Sequence, residues 1–259
     1  MQNLYPLFER NRILKKELLW SLRDYSFSHI MLEYQEYGEG IIRGCGLRVT
    51  DGELTVLPGI VKHGDFIYLV MEEMTVAYEP EDRLEIIKFR MEKDSRSSDY
   101  IDYHIDLIRD TDPARRENEF EICRYKLRKG AKLRCDYTDF TDMRTEFDTV
   151  SFVEATWGGV GGQTLSPAVT GYFSEMVLEL EGSLPEDIQF AYLCLNQPGA
   201  VSGRILNHYV TRRLGLAAKE SRDHLELYQA LRRILEEIGK NRKERGKNGG
   251  TKRKIMGDY

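Results

Sequence analysis

Residues 38–91 read GEGIIRGCGLRVTDGELTVLPGIVKHGDFIYLVMEEMTVAYEPEDRLEIIKFRM, and this stretch decides the fold. Its short apolar runs are separated by Asp51-Gly52, Pro58-Gly59 and Gly64-Asp65. Each pair suits a chain reversal, because Gly accepts φ > 0 and Pro presets φ near the turn value. A set of hairpins is the expected product. Cys45, Leu47 and Val49 alternate with Gly44, Gly46 and Arg48, and Leu54 and Val56 alternate with Glu53 and Thr55, which predicts a dry and a wet face. The stretch holds no nucleophile paired with a base, no metal box and no phosphate cradle, so its expected business is shape.

Further along, Thr75–Tyr78 and Leu84–Met91 read as strands, the second slipping at Ile86-Ile87 as at a β-bulge. Tyr100–Ile108 alternates cleanly, and Glu119–Leu127, Lys132–Tyr137 and Val150–Ala155 add further strand expectations. Ahead of the hairpins, residues 7–24 bring Leu7, Leu14, Leu18 and Leu22 close to one helical face, widened by Ile13, Leu19 and Trp20. Such a helix packs on its own sheet or docks on a neighbouring subunit. Residues 25–37, rich in aromatics, fit either a second helix or an extended connection.

The glycine run Gly158–Gly162, followed by Gln163-Thr164 and Ser166-Pro167, has the order of a phosphate-binding loop: strand, glycine loop, helix. That chemistry needs a lysine beside the Ser/Thr, and Gln163 stands there instead, with no lysine between Lys132 and Lys219. The plainer reading is a glycine turn joining a β part to an α part. The acidic stretch 136–148 could offer oxygen ligands, but its spacing is not that of a calcium loop, and Asp and Thr this dense serve as turn formers and caps.

From Ser166 onward the period changes to 3.6. Val169, Tyr172, Phe173, Met176, Val177 and Leu180 trace one helix; another is expected from about Ala200 to Leu214, and a last one from an N-cap at Ser221 to about Lys240. Residues 187–195 are apolar but of uncertain type. On the last helix Leu225, Tyr228, Leu231, Leu235 and Ile238 form a stripe that suits a bundle core or a symmetric contact. His208 and His224 read as surface or satisfied core residues.

The fold class expected is therefore α+β: an N-terminal amphipathic helix, an antiparallel β domain of short hairpins and a C-terminal helical part. The expected divisions are 1–150, 151–239 and a basic, disordered tail at 240–259. Formal net charge is −5, but the tail carries eight Lys/Arg against two acids, leaving 30 Lys/Arg and 41 Asp/Glu on residues 1–239. So acidic a body lacks the basic stripe that nucleic acid requires, and only the tail could touch it. At 259 residues and 41% apolar the chain can bury a sizeable core. Its four cysteines are scattered and read as reduced thiols. No run of 18 apolar residues occurs, so no membrane segment is expected.

Taken together, PLFERNRILKKELLWSLRDY (6–25), GIIRGCGLRV (40–49), LTVLPGIVKHGDFIYL (54–69) and NEFEICRYKLRKGAKLRCDYTDFTDMRTEFDT (118–149) resemble proteins of the tail modules of Firmicutes prophages and phage-tail-like particles. Some proteins of this look bear a helicase name, which these residues do not support: there is no Walker lysine motif, no D-E-x-[DH] box and no room for two motor domains. The resemblance implies a non-enzymatic structural protein of a tail or baseplate, an adaptor or an attachment point for appendages. It implies assembly in the cytoplasm, release within a phage-like particle, other tail proteins and a second copy of itself as partners, and no cofactor or metal. The contact residues expected are Leu14, Leu18 and Trp20 at the front and Leu231 and Leu235 at the back. A ligand- or carbohydrate-binding module using Trp157 or tyrosines as stacking platforms, and a nucleotide- or nucleic-acid-acting protein using the glycine loop and the basic tail, are the rival readings.

Overall fold

A computed structural model describes residues 15–248 except 146, together with residues 7, 10 and 13; for residues 241–248 only the backbone is described. In chain order come α1 (Lys16–Glu33), β1 (Gly40–Gly44), β2 (Leu47–Thr50), β3 (Glu53–Val56), β4 (Gly59–His63), β5 (Phe66–Val70), β6 (Met74–Ala77), β7 (Leu84–Asp94), β8 (Asp102–Asp110) and β9 (Glu119–Lys126). A 3₁₀ turn at Asp142–Arg144 precedes β10 (Trp157–Gly159), β11 (Gly162–Thr164), α2 (Pro167–Glu179), α3 (Pro185–Leu195), α4 (Gly203–Leu214) and α5 (His224–Asn248). The class is α+β, as the sequence implies.

Three sheets carry the β part, in the orders β11-β10-β1-β4-β5, β2-β3-β6 and β8-β7-β9. Asp51-Gly52 and Gly64-Asp65 close the two-residue hairpins β2–β3 and β4–β5, each with its Gly at positive φ. Pro58-Gly59 does something else: it hands the chain from β3 in one sheet to β4 in another. No side chain fits at Gly59, where a Cβ would lie 2.4 Å from the Cys45 Sγ. Opposite it, Gly44 and Cys45 both take positive φ, and this kink lets the chain leave β1 for the second sheet.

The wet face expected of β3 is only partly wet. Thr55 is buried, its hydroxyl 3.1 Å from that of Thr75 on β6, because β6 covers the second edge of β3. On β7 the register against β9 slips between Ile87 and Lys88, one residue past the position the alternation suggests. Ile87, Phe89 and Met91 then enter the β core, while Lys88 is buried beneath the 110–119 loop. There its ammonium donates to Asp110 at 2.8 Å, to Glu119 at 3.3 Å and to the carbonyls of Asp112 and Ala114. Breaking one partner out of such a set would strand a buried charge.

Two expected strands do not form. Lys132–Tyr137 and Val150–Ala155 make only isolated bridges, Arg134 with Thr149 and Arg124 with Ser151. The turn between them is drawn in by Asp142, which accepts from the Thr138 backbone and from Arg134, so the two segments meet without a continuous ladder.

The helices follow the 3.6 period more closely. Ser166 caps α2, its hydroxyl accepting from the Ala168 N–H, with Pro167 at the first helical position. The undecided segment 187–195 is helical, within α3. At the front of α5 the capping box is Asp223 with Glu226, two residues beyond Ser221: each side chain accepts from the other's backbone N–H. This helix continues to Asn248, past Lys240; residues 249–259 of the basic tail lie outside the described residues. A β cluster including Ile41, Phe89 and Tyr125 and a helical cluster including Phe173, Tyr228 and Leu231 form two buried cores, both touched by Phe152.

Candidate functional site

The first helix is where the molecule spends apolar surface without burying it. Residues 16–33 lack Gly and Pro, so nothing interrupts the helix, and Glu17 sits favourably in the first turn. The chain supplies no cation in the last turn. Lys62 on β4 supplies one from outside: its ammonium donates to the carbonyls of Tyr34 at 3.0 Å, Gln35 at 3.0 Å and Tyr37 at 2.7 Å. A charge-assisted clamp at the negative end of the helix dipole thus ties α1 to the five-stranded sheet.

Despite this tether, no residue of α1 is buried. Its start and end both fall later than the expected span: the described residues Leu7, Arg10, Ile13 and Lys15 are not helical, and the helix runs on through the aromatic stretch to Glu33. Phe27, Ile30 and Met31 line an apolar groove of about 340 Å³ against Phe66, Ile67 and Leu69 of β5. β5 is the edge strand of its sheet, and Leu69 in the groove and Met71, two residues further along the chain, are exposed. Trp20, 50% exposed, stands on the same side of the helix as Phe27, seven residues apart, with the Lys16 ammonium 5.1 Å over its ring. The opposite side carries Leu22, Tyr25 at 62% and Leu32 at 64% exposure. This is an apolar surface of the kind that marks a binding face.

The expected contact residues divide. Leu18 is half-buried on α1 and Trp20 is exposed, whereas Leu14 lies outside the described residues. Leu231 and Leu235 are 0% and 7% exposed in the helical core, so the α5 stripe is a core stripe and these two do not face outward. The outward residues Tyr25, Phe27 and Leu32 were not among the expected contacts. Carrying the three-and-four spacing of Leu18 and Leu22 past Asp24 would have found Tyr25 and Leu32.

The glycine run is a hairpin, not a phosphate loop. Gly158–Thr164 forms β10 and β11, with β10 added in parallel to β1. Its glycines have separate causes: a Cβ on Gly158 would lie 2.2 Å from the Gly38 carbonyl, whereas Gly161 and Gly162 turn the hairpin at positive φ. The N–H of Gly161 donates to Glu36, so it is spent on the fold.

Beside this hairpin lies a polar cavity of about 790 Å³, lined by Arg115, Glu154, Arg204, Arg222 and His224 among others. Some of its polar groups are committed to the fold, one pair by opposite charge and Arg222 by neutral oxygens. Arg115 meets Glu154 at 3.3 Å, and Arg222 donates to Asn207, to Thr211 at 2.6 Å and to the Ala217 carbonyl at 2.9 Å. Burial, helped by Arg115, pushes the His224 imidazole down to about 4. Trp157 is buried within the sheet at 8% exposure, so it offers no stacking platform. Burial works to raise the Asp142 carboxyl, but bonds from Thr138 and Arg134 outweigh it and hold the group low. Among the described residues no cluster of three or more His, Cys, Asp or Glu is gathered for a metal, and no helix is long and apolar enough to cross a membrane.

No protein-family model matches the chain, and no curated protein matches it. Among solved structures it overlaps a chain of the type VI secretion TssK–TssF–TssG baseplate subcomplex at 9% identity and TM-score 0.39, covering 91% of this chain and 100% of that one. It overlaps TssK in a crystal structure at 7% identity and TM-score 0.38, covering 91% and 71%, and a chain of a type VI secretion baseplate complex at 11% and 0.36, covering 91% and 70%. Overlaps this loose carry no functional argument.

Proposed function

We propose that this chain is a non-enzymatic structural protein of a phage-tail-like baseplate, an adaptor that holds neighbouring tail proteins through α1 and the adjoining edge of β5. One observation carries the reading: an 18-residue helix, clamped at its end by Lys62, has no buried residue and displays Trp20, Tyr25, Phe27 and Leu32 to the surroundings. The sequence resemblance of residues 6–150 to tail-module proteins supplies the context.

The mechanism is association by apolar burial within a polar rim. Covering a large apolar side chain stabilises a complex by roughly 1.5–3 kcal/mol before ordering costs, so a partner that covers Trp20, Phe27, Leu69 and Met71 together gains enough to bind. The groove suits such a partner, which needs only to widen a contact that α1 and β5 already begin.

Co-expression of the full chain with the proteins encoded on either side of it tests the proposal. A joint complex should survive size exclusion, and Trp20→Asp, at an exposed position, should leave the chain folded while lowering its recovery in that complex at least tenfold. A chain that elutes alone with every such partner would contradict the reading.

A further inference from the structure

Three arginines line the polar cavity beside the β10–β11 hairpin, and only one of them meets an acid. Arg115 pairs with Glu154 at 3.3 Å. Arg222 is held by the neutral oxygens of Asn207, Thr211 and Ala217 and makes no ion pair among the described residues. Its Nε–H is left unspent by those bonds. Arg204 is exposed and makes neither a hydrogen bond nor an ion pair among the described residues. Its stem passes the hairpin tip, where a Cβ added to Gly161 would come 3.5 Å from the Arg204 Cδ.

Gly203 and Arg204, which begin α4, also line the cavity. Ser202 gives its hydroxyl to the Val160 carbonyl at 2.8 Å, so no side chain caps this helix, and its first turn holds no acid. The leading N–H groups therefore add the positive end of a helix dipole to the arginines. Three acids line the same cavity, but two have other work. Glu154 faces Arg115, Asp223 caps α5 by accepting the Glu226 N–H at 2.7 Å, and Glu220 is exposed. His224, 7% exposed, is a further lining residue, and its Nδ1 has no partner among the described residues. Burial and then the charge of Arg115 keep the ring neutral, against Asp223, Glu121 and a bond to the Val153 carbonyl. A neutral ring that gives its N–H to Val153 keeps Nδ1 as an acceptor.

We propose that this cavity binds a small phosphate ester, with the phosphate group held by Arg204, Arg222 and the first N–H groups of α4. Guanidinium groups and a helix N-terminus are the donors that phosphate oxygens take best. A volume of about 790 Å³ is that of a small-molecule pocket and exceeds what one phosphate group fills, so the rest of an ester has room beside Gln163 and Ser221. The donors do not come from the glycine hairpin, whose Gly161 N–H is spent on Glu36. The cavity shares no residue with the α1 groove, so the site stands whether or not the assembly role holds.

Calorimetric titration of the full chain at low ionic strength and pH 7 tests it, with glycerol 3-phosphate and inorganic phosphate as probes. One ester per chain should bind, saturating below about 10 mM. Arg204→Gln, at an exposed position without partners, should weaken that binding about tenfold. Ser221→Trp, which fills the cavity and leaves its charge unchanged, should weaken it as much, and Arg96→Gln, in a distant exposed loop of the sequence, should not. An ester that binds more tightly than inorganic phosphate upholds the proposal. The absence of saturable heat with the ester, equal affinity for the two probes, or ester binding that survives both Arg204→Gln and Ser221→Trp overturns it.

Discussion

His224 shows at the level of one side chain how the helical part is tied to its surroundings. The ring is buried beside Arg115, its Nδ1 has no hydrogen-bond partner, and its pKa falls from 6.5 to about 4. Because the folded value lies below the unfolded one, neutral His224 contributes its full share of stability above pH 6.5, and that share is lost as the pH falls through about 4. A shift of this size corresponds to about 3 kcal/mol. As the pH drops from 7 to 4, the unfolding midpoint of the native chain should fall relative to that of His224→Leu. Parallel curves would show that the imidazole does not titrate as described. The sequence shows a histidine at the start of a helix but not that Arg115 and the 150s segment close over it, since those contacts join residues more than seventy positions apart.

The elements divide by how local their causes are. Hairpins at Asp51-Gly52 and Gly64-Asp65 and the cap at Ser166 were legible because two or three neighbouring residues determine each. Lys132–Tyr137 alternated like a strand yet gained no ladder, because pairing partners are set by the whole fold. The glycine run was misleading for the same reason: Gly158 is required by the Gly38 backbone, 120 residues earlier, and no motif records that contact. On α1 the tether is likewise nonlocal. Replacing Lys62 by Met removes three bonds to the carbonyls of Tyr34, Gln35 and Tyr37 and should weaken the helix by about 2 kcal/mol, accelerating amide exchange in residues 16–33 roughly thirtyfold. Exchange in β7 and α5 should not change. If α1 exchanges no faster in the variant, the clamp does not hold the helix.

Across the whole molecule, the two buried cores account for most of the large apolar residues, and α1 remains as the apolar element that neither core covers. The α+β class and the change from period 2 to 3.6 near Ser166 could be read in the chain; which apolar stripe stays outside could not. Leu231 and Leu235 on α5 stand four residues apart, as Leu18 and Leu22 do on α1, and only the packing of α2 and α4 against α5 makes the first pair core while Leu22 stays in solvent. Amide hydrogen exchange of residues 16–33, compared between the free chain and the chain bound in a tail complex, tests the assembly role most directly. Slower exchange along α1 on assembly, with Trp20 and Phe27 shielded from solvent labelling, is the result predicted; α1 exchanging at the same rate inside the complex as outside it would contradict the account.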